Sequence, residues 1–168
     1  MSIDHRNPDD DALAQEWLAA IARPPLARGL ESIYEHAARE IDSRAPACWA
    51  SGRCCNFERT GHRLYVTGLE AAYTLSRAPA TPSLADLNHA RARGGCPFQE
   101  SNLCGVHAIK PLGCRLYFCD RTAQDWQMTL SERAIGLVRE LHDRHGVPYR
   151  YAEWRGLLGM MAEPEQGT

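Results

Sequence analysis

Lysine is nearly missing from this 168-residue chain: of 19 basic residues, only Lys110 is not arginine. The formal net charge is −2 and the basic residues form no stripe, so there is no electrostatic excess for a polyanion. Nucleic acid is therefore not an expected partner. No apolar run approaches the roughly 18 residues that a membrane helix needs, which argues against a membrane span. The segment Met1–Asp11 has no apolar core, so no secretory signal is expected and a cytoplasmic location follows. The chain also lacks a GxSxG elbow, a phosphate loop and a dinucleotide fingerprint, which leaves any enzymatic activity unassigned. Before residue 48 and after residue 119 there is no cysteine at all.

Between those positions there are seven: Cys48, Cys54, Cys55, Cys96, Cys104, Cys114 and Cys119. An odd number in a cytoplasmic chain argues against a fully paired disulfide framework. Seven thiols in one stretch exceed what core packing needs and suit a soft or borderline acceptor, zinc or an iron–sulfur cluster. All seven are candidate metal ligands. Four suffice for one structural zinc or one cluster, so some must pack or serve a second metal. His107, three residues past Cys104, is a candidate nitrogen donor or a packing residue. Arg115 adjoins Cys114 and is either a thiolate-stabilising cation or a structural ion-pair partner. His142 and His145, one turn apart near a helix end, read as dipole-favoured cations, and Asp120 as a cap on the next turn. Tyr117, Phe118 and the four tryptophans read as core.

The periodicity around the cysteines is helical. The acidic run Asp9–Asp11 opens a helix carrying Leu13, Ala14, Trp17, Leu18 and Ile21, which Pro24-Pro25 stops. A second helix presents Leu26, Leu30, Ile33, Tyr34, Ala37, Ala38 and Ile41, and Pro46 ends it. A tight loop is expected over Cys48–Phe57 and a short strand over Arg63–Thr67. Thr67-Gly-Leu-Glu70 and Ser83-Leu-Ala-Asp86 are capping boxes, opening helices that run to about Ser76 and to near Gly94-Gly95. The segment Cys96–Asp120 reads as irregular, with a helical turn at Val106–Ile109 and a strand at Arg115–Phe118. Ser131–His145 is at least the extent of a longer helix, with Ile135, Val138, Leu141 and His142 inward, that Gly146 stops, and Tyr151–Met161 a last one. The expected architecture is mainly α with minor short β: a single small domain of helices around an irregular, cysteine-rich metal-binding core. Its parts are a helical pair (8–45), the cysteine core (47–120) and C-terminal helices (122–161).

The blocks Cys48-Trp-Ala-Ser-Gly-Arg-Cys-Cys55 and Cys96-Pro…Cys104-Gly-Val-His-Ala-Ile-Lys-Pro-Leu-Gly-Cys114-Arg115 resemble the CxxCxxCC cysteine-cluster family, also called YkgJ-like, of zinc- or iron-chelating proteins. The resemblance covers roughly residues 47–120. Ser51 stands where that family has its second cysteine, His107 where it has tyrosine and Lys110 where it has arginine; Cys119 lies beyond the pattern and is a candidate replacement for the ligand missing at Ser51. The resemblance extends to the cysteine region of flagellin lysine N-methylases, thought to carry an iron–sulfur cluster, which favours that cofactor over zinc. The expected function is thus metal chelation, structural, electron-transferring or accessory. The alternatives are a thiol-redox sensor and a zinc-stapled protein-interaction module.

Overall fold

The computed structural model describes residues 7–46, 52–118 and 120–163. The fold is mainly α, as the periodicity predicts. Helix α1 (Pro8–Ile21) starts one residue after Asn7, whose side chain accepts the Asp9 N–H at 3.1 Å, and Asp9–Asp11 fill its first turn. Helix α2 (Pro24–Arg44) begins on the two prolines expected only to stop α1. Proline suits a first turn because its missing N–H would have no intrahelical partner there. Leu26, Leu30, Ile33, Tyr34 and Ala37 form its buried face.

A single turn of helix, α3 (Phe57–Thr60), precedes strand β1 (Tyr65–Thr67), which runs straight into α4 (Gly68–Arg77). Both predicted capping boxes are present: Thr67 with Glu70 opens α4, and Ser83 with Asp86 opens α5 (Leu84–Ala92). A two-residue hairpin follows, β2 (Gln99–Glu100) and β3 (Leu103–Cys104), then a 3-10 turn at His107–Ile109 and α6 (Leu112–Leu116). The strand expected at Arg115–Phe118 does not form: Arg115 lies in α6, whose start after Pro111 outweighs the β-prone Leu-Tyr-Phe run. Helix α7 (Gln124–His145) starts seven residues before the predicted minimum and ends at Gly146 in the left-handed region (φ 63°). The expected last helix is shorter than predicted. Tyr151–Glu153 is strand β4, and only Trp154–Met161 is helix α8.

β4 explains that correction. It pairs antiparallel with β1, Tyr65 against Glu153, Val66 against Ala152 and Thr67 against Tyr151. At one end the Gly68 N–H donates to the Arg150 carbonyl (3.2 Å), and at the other the Trp154 N–H donates to the Leu64 carbonyl (2.9 Å). Each strand thus launches a buried helix, α4 or α8, and each ladder end is closed by the first residue of the opposing unit's helix. A short chain segment cannot reveal this pairing, because its partner is more than 80 residues away.

One continuous core joins the elements, with Trp17, Leu26, Leu30, Leu69, Leu87, Trp154, Leu157 and Leu158 at or near complete burial; Cys96 is part of it. α1 lies so close to α4 that a Cβ on Gly68 would meet the Trp17 ring at 2.2 Å, and Trp17 Nε1 donates to the Pro148 carbonyl at 2.8 Å. Of the tryptophans expected in the core, Trp17 and Trp154 are buried, Trp126 is half-buried, and Trp49 lies outside the described residues. Tyr117 and Phe118 are half-buried rather than core. Among the described residues no helix is long and apolar enough to cross a membrane.

Candidate metal centre

Three segments bring the described cysteines together. Gly52 (φ 70°) turns the chain through the left-handed region into a 3-10 turn, Arg53–Cys55, that carries Cys54 and Cys55. A side chain at Gly52 would be strained by that φ and would meet Gln99 Nε2 at 2.9 Å. Instead Gln99, buried on β2, donates that amide to the Gly52 carbonyl at 3.1 Å, and the same carbonyl accepts from Asn56 Nδ2 and from the Cys55 N–H. The cysteine turn therefore rests on the β2–β3 hairpin, whose tip residues Ser101 and Asn102 both have positive φ, as a tight two-residue turn requires. Cys104 pairs with Gln99 across that hairpin.

Cys96 meets the same turn from below: its N–H donates to the Cys55 carbonyl at 3.0 Å. The approach is locked from α8. Arg155, only 5% exposed, donates to both carboxylate oxygens of Glu58 (2.7 and 3.2 Å), to Glu153 (2.9 Å) and to the Gly95 carbonyl (3.4 Å). Glu58 follows Cys55 by three residues and Gly95 precedes Cys96, so one guanidinium joins the two loops.

Cys114 comes from α6, and α6 is anchored by the buried carboxylate of Glu70. Its oxygens accept from the Thr67 N–H (2.9 Å) and hydroxyl (3.1 Å), the Tyr34 hydroxyl (3.4 Å) and the Leu112 N–H (2.8 Å). Burial raises the Glu70 pKa, against the opposing pull of these donors. The residue read from sequence as a helix cap is also the post on which the Cys114 helix stands.

All five described cysteines are free thiols, with Cys54 exposed, Cys55, Cys104 and Cys114 intermediate and Cys96 buried. Hydrogen bonding to Cys55, then burial, pushes the Cys54 thiol far up. At Cys55 the bond with Cys54 pulls the pKa down, but the bond with Cys96, burial and the charges of Cys96 and Cys104 push it up to about 12. Cys114 is raised by burial first, then by Cys55 and Cys104. At Cys55 and Cys114 the neighbouring thiols add to the effect of burial, because like charges in a half-buried site repel. As they stand, no three His, Cys, Asp or Glu side chains among the described residues are arranged to hold a metal ion. The fit to a soft metal rests on donor chemistry: five thiols within electrostatic reach of one another, from three segments. Cys48, Cys119 and Ser51 lie outside the described residues, and with them the exchange of a Ser51 ligand for Cys119.

The other candidates separate. Arg115 neither faces a thiolate nor forms an ion pair among the described residues. Its guanidinium donates to the Lys110 and Ala108 carbonyls (2.8 and 2.9 Å) and lies over the Tyr34 ring at 4.2 Å. The cation that acts on the thiols is Lys110, which opposes the upward shifts of Cys54 and Cys114. The signal for it was present in sequence, since it is the chain's one lysine. His107 is exposed, with Nε2 3.2 Å from Lys110 Nζ, and that charge lowers its pKa. Asp120 caps as predicted, accepting from the Thr122 N–H at 2.9 Å. His142 is buried, on the inward helix face where its spacing places it, and so is not the dipole-favoured surface cation that its place near the helix end also suggested. Glu58, Arg155 and Gln99 escaped the sequence reading because their partners lie 47 to 97 residues away.

Compared with known proteins, the chain matches no family model, no curated protein and no solved structure.

Proposed function

We propose that the chain chelates a metal through clustered thiolates, an iron–sulfur cluster in preference to zinc. The donors are drawn from Cys54, Cys55, Cys96, Cys104 and Cys114, with Cys48 and Cys119 from the same segments completing the candidate set. The observation that carries the reading is geometric: five free thiols from three segments are gathered around one turn and the hairpin it rests on. Thiols of raised pKa, as at Cys54, Cys55 and Cys114, would lose their protons to a cation that offsets the cost of ionisation. When bound, the group would supply either one-electron transfer or a rigid staple between segments. The chain's own residues do the rest. Arg155 and Glu70 hold the three segments in place, Gln99 fixes the Cys54–Cys55 turn, and Lys110 offsets thiolate charge.

The test is metal analysis and an anaerobic visible spectrum of protein purified without chelator. Absorbance near ~400 nm is expected of cysteine-ligated iron–sulfur centres; a colourless protein with stoichiometric zinc would select zinc. Seven freely alkylated thiols in the native, metal-assayed protein would overturn chelation.

The exposed free thiol of Cys54, adjacent to Cys55 in one turn, favours a second reading, a thiol-redox sensor. Reversible loss of thiols in metal-free protein, restored by a dithiol reductant, is its signature.

A further inference from the structure

We propose a second site, independent of the metal reading: a cleft beside the cysteine turn that binds a small aromatic carboxylate or phosphate. The cleft measures about 710 Å³, within the roughly 300–1,000 Å³ range of small-molecule sites. Its floor is one face of the start of α7. Gln124, Gln127, Met128 and Ser131 all line it, at the i, i+3, i+4, i+7 spacing that puts side chains on one helix face.

Two arginines reach the cleft from separate segments, Arg53 from the turn before Cys54 and Arg121 from the 3-10 turn before α7. One carboxylate, Glu132, also lines the cleft. Arg121 forms no ion pair with any described residue, whereas Arg77, Arg150 and Arg155 do. A planar guanidinium with five donors matches a carboxylate or phosphate in a two-point contact, and the two glutamine amides add neutral donors.

The aromatic preference comes from the wall. Tyr117 and Phe118 line the cleft side by side. Each is braced from behind, Tyr117 stacked on His62 with centroids 4.0 Å apart and Phe118 against Trp126 at 6.0 Å. Met128, 60% exposed at the rim, supplies a polarisable contact of the kind that favours ring edges. Rings held by their neighbours lose little freedom on binding a planar ligand. An oxyanion at Arg121 with its ring against Tyr117 and Phe118 would lie next to the Cys54 turn.

Calorimetry on the full chain with four probes tests the site: benzoate, phenyl phosphate, neutral benzyl alcohol and inorganic phosphate. Saturable binding of benzoate and phenyl phosphate is expected, with the other two at least about tenfold weaker. Arg121→Gln, at an exposed position, should weaken the aromatic anions about tenfold, as loss of one charge-assisted pair does. Arg144→Gln, at the far end of α7, should leave them unchanged. On wild-type protein, phenyl phosphate should shift the side-chain amide resonances of Gln124 and Gln127, a readout that needs no variant. No saturable binding overturns the proposal. So does equal affinity for inorganic phosphate, unchanged affinity in Arg121→Gln, or amide shifts confined to other glutamines. The metal content measured in the same samples reports on the cysteine centre separately.

Discussion

His142 has no exposed surface, yet only one of its two ring nitrogens is partnered. Nδ1 lies 3.3 Å from the Val147 carbonyl and 3.0 Å from that of Pro148, whereas Nε2 is buried without a partner. Facing carbonyls, Nδ1 carries the proton, and a charged ring would bury a second N–H with no acceptor. Burial accordingly lowers its pKa. The unfolded chain then takes up the proton more readily, so stability is complete above the unfolded value of about 6.5 and falls as pH drops through it. Glu58 has a depressed pKa, chiefly through its hydrogen bond from Arg155. Its contribution is present above the unfolded value of about 4.3 and is lost at still lower pH. Urea midpoints between pH 8 and pH 3.5 should therefore fall in two stages. In His142→Leu the upper stage should shrink, its remainder coming from His62 and His107, whose pKa values are lowered as well; an upper stage of unchanged size in this variant would remove His142 from the account. Glu58→Ala should cost about 2 kcal/mol at pH 7, less than a fully buried pair because Glu58 is largely exposed and Glu153 still pairs with Arg155.

Among the elements, the contact of α1 with α4 has least room for change. Gly68 is the first residue of α4, and its missing Cβ is the space in which the Trp17 ring sits. The ring cannot retreat, since it is fully buried and held through Nε1 to Pro148. Gly68→Ala should therefore cost about 3 kcal/mol by overpacking, read as a lowered urea midpoint with an unchanged slope. Gly136, on α7 with open space around it, is the control: Gly136→Ala should be neutral or slightly stabilising. The β1–α4 and β4–α8 units are held to each other by equivalent hydrogen bonds at the two ends of a three-residue ladder. Their sequences, Leu-Tyr-Val-Thr-Gly and Arg-Tyr-Ala-Glu-Trp, share little, so the correspondence lives in the backbone.

Across the whole molecule, the helices form a scaffold with its own core and the cysteine segments are attached to it at Glu70 and Arg155. Under the proposed chelation, loss of metal should therefore be a local event. Hydrogen exchange on metal-loaded and chelator-treated protein should show increased exchange at Gly52–Cys55 and Gln99–Cys104, with α1, α4 and α8 retaining protection. Loss of protection throughout would mean that the metal holds the entire fold together. Glu70→Gln adds a test of the attachment. The neutral amide should leave α4 capped but weaken the hold on the Leu112 N–H, raising Cys114 alkylation in metal-free protein more than that of Cys96.

The helices were legible because each advertises itself within a few residues: apolar spacing on α1 and α2, and side-chain caps at Thr67 and Ser83 whose partners lie three positions away. The seven-cysteine stretch was legible for the same reason, as a matter of residue type. Tertiary structure alone decided the rest. It made Tyr151–Glu153 a strand, because the partner that satisfies its backbone is β1. It turned Arg115 away from the thiols and put Lys110 near them, because α6 must start where Glu70 can receive the Leu112 N–H. It brought Cys54, Cys55, Cys96, Cys104 and Cys114 within reach of one another through Arg155 and Gln99, residues with no local mark of that role. Local free energies are written in neighbouring residues; the positions of loops are set by buried polar groups finding partners far along the chain.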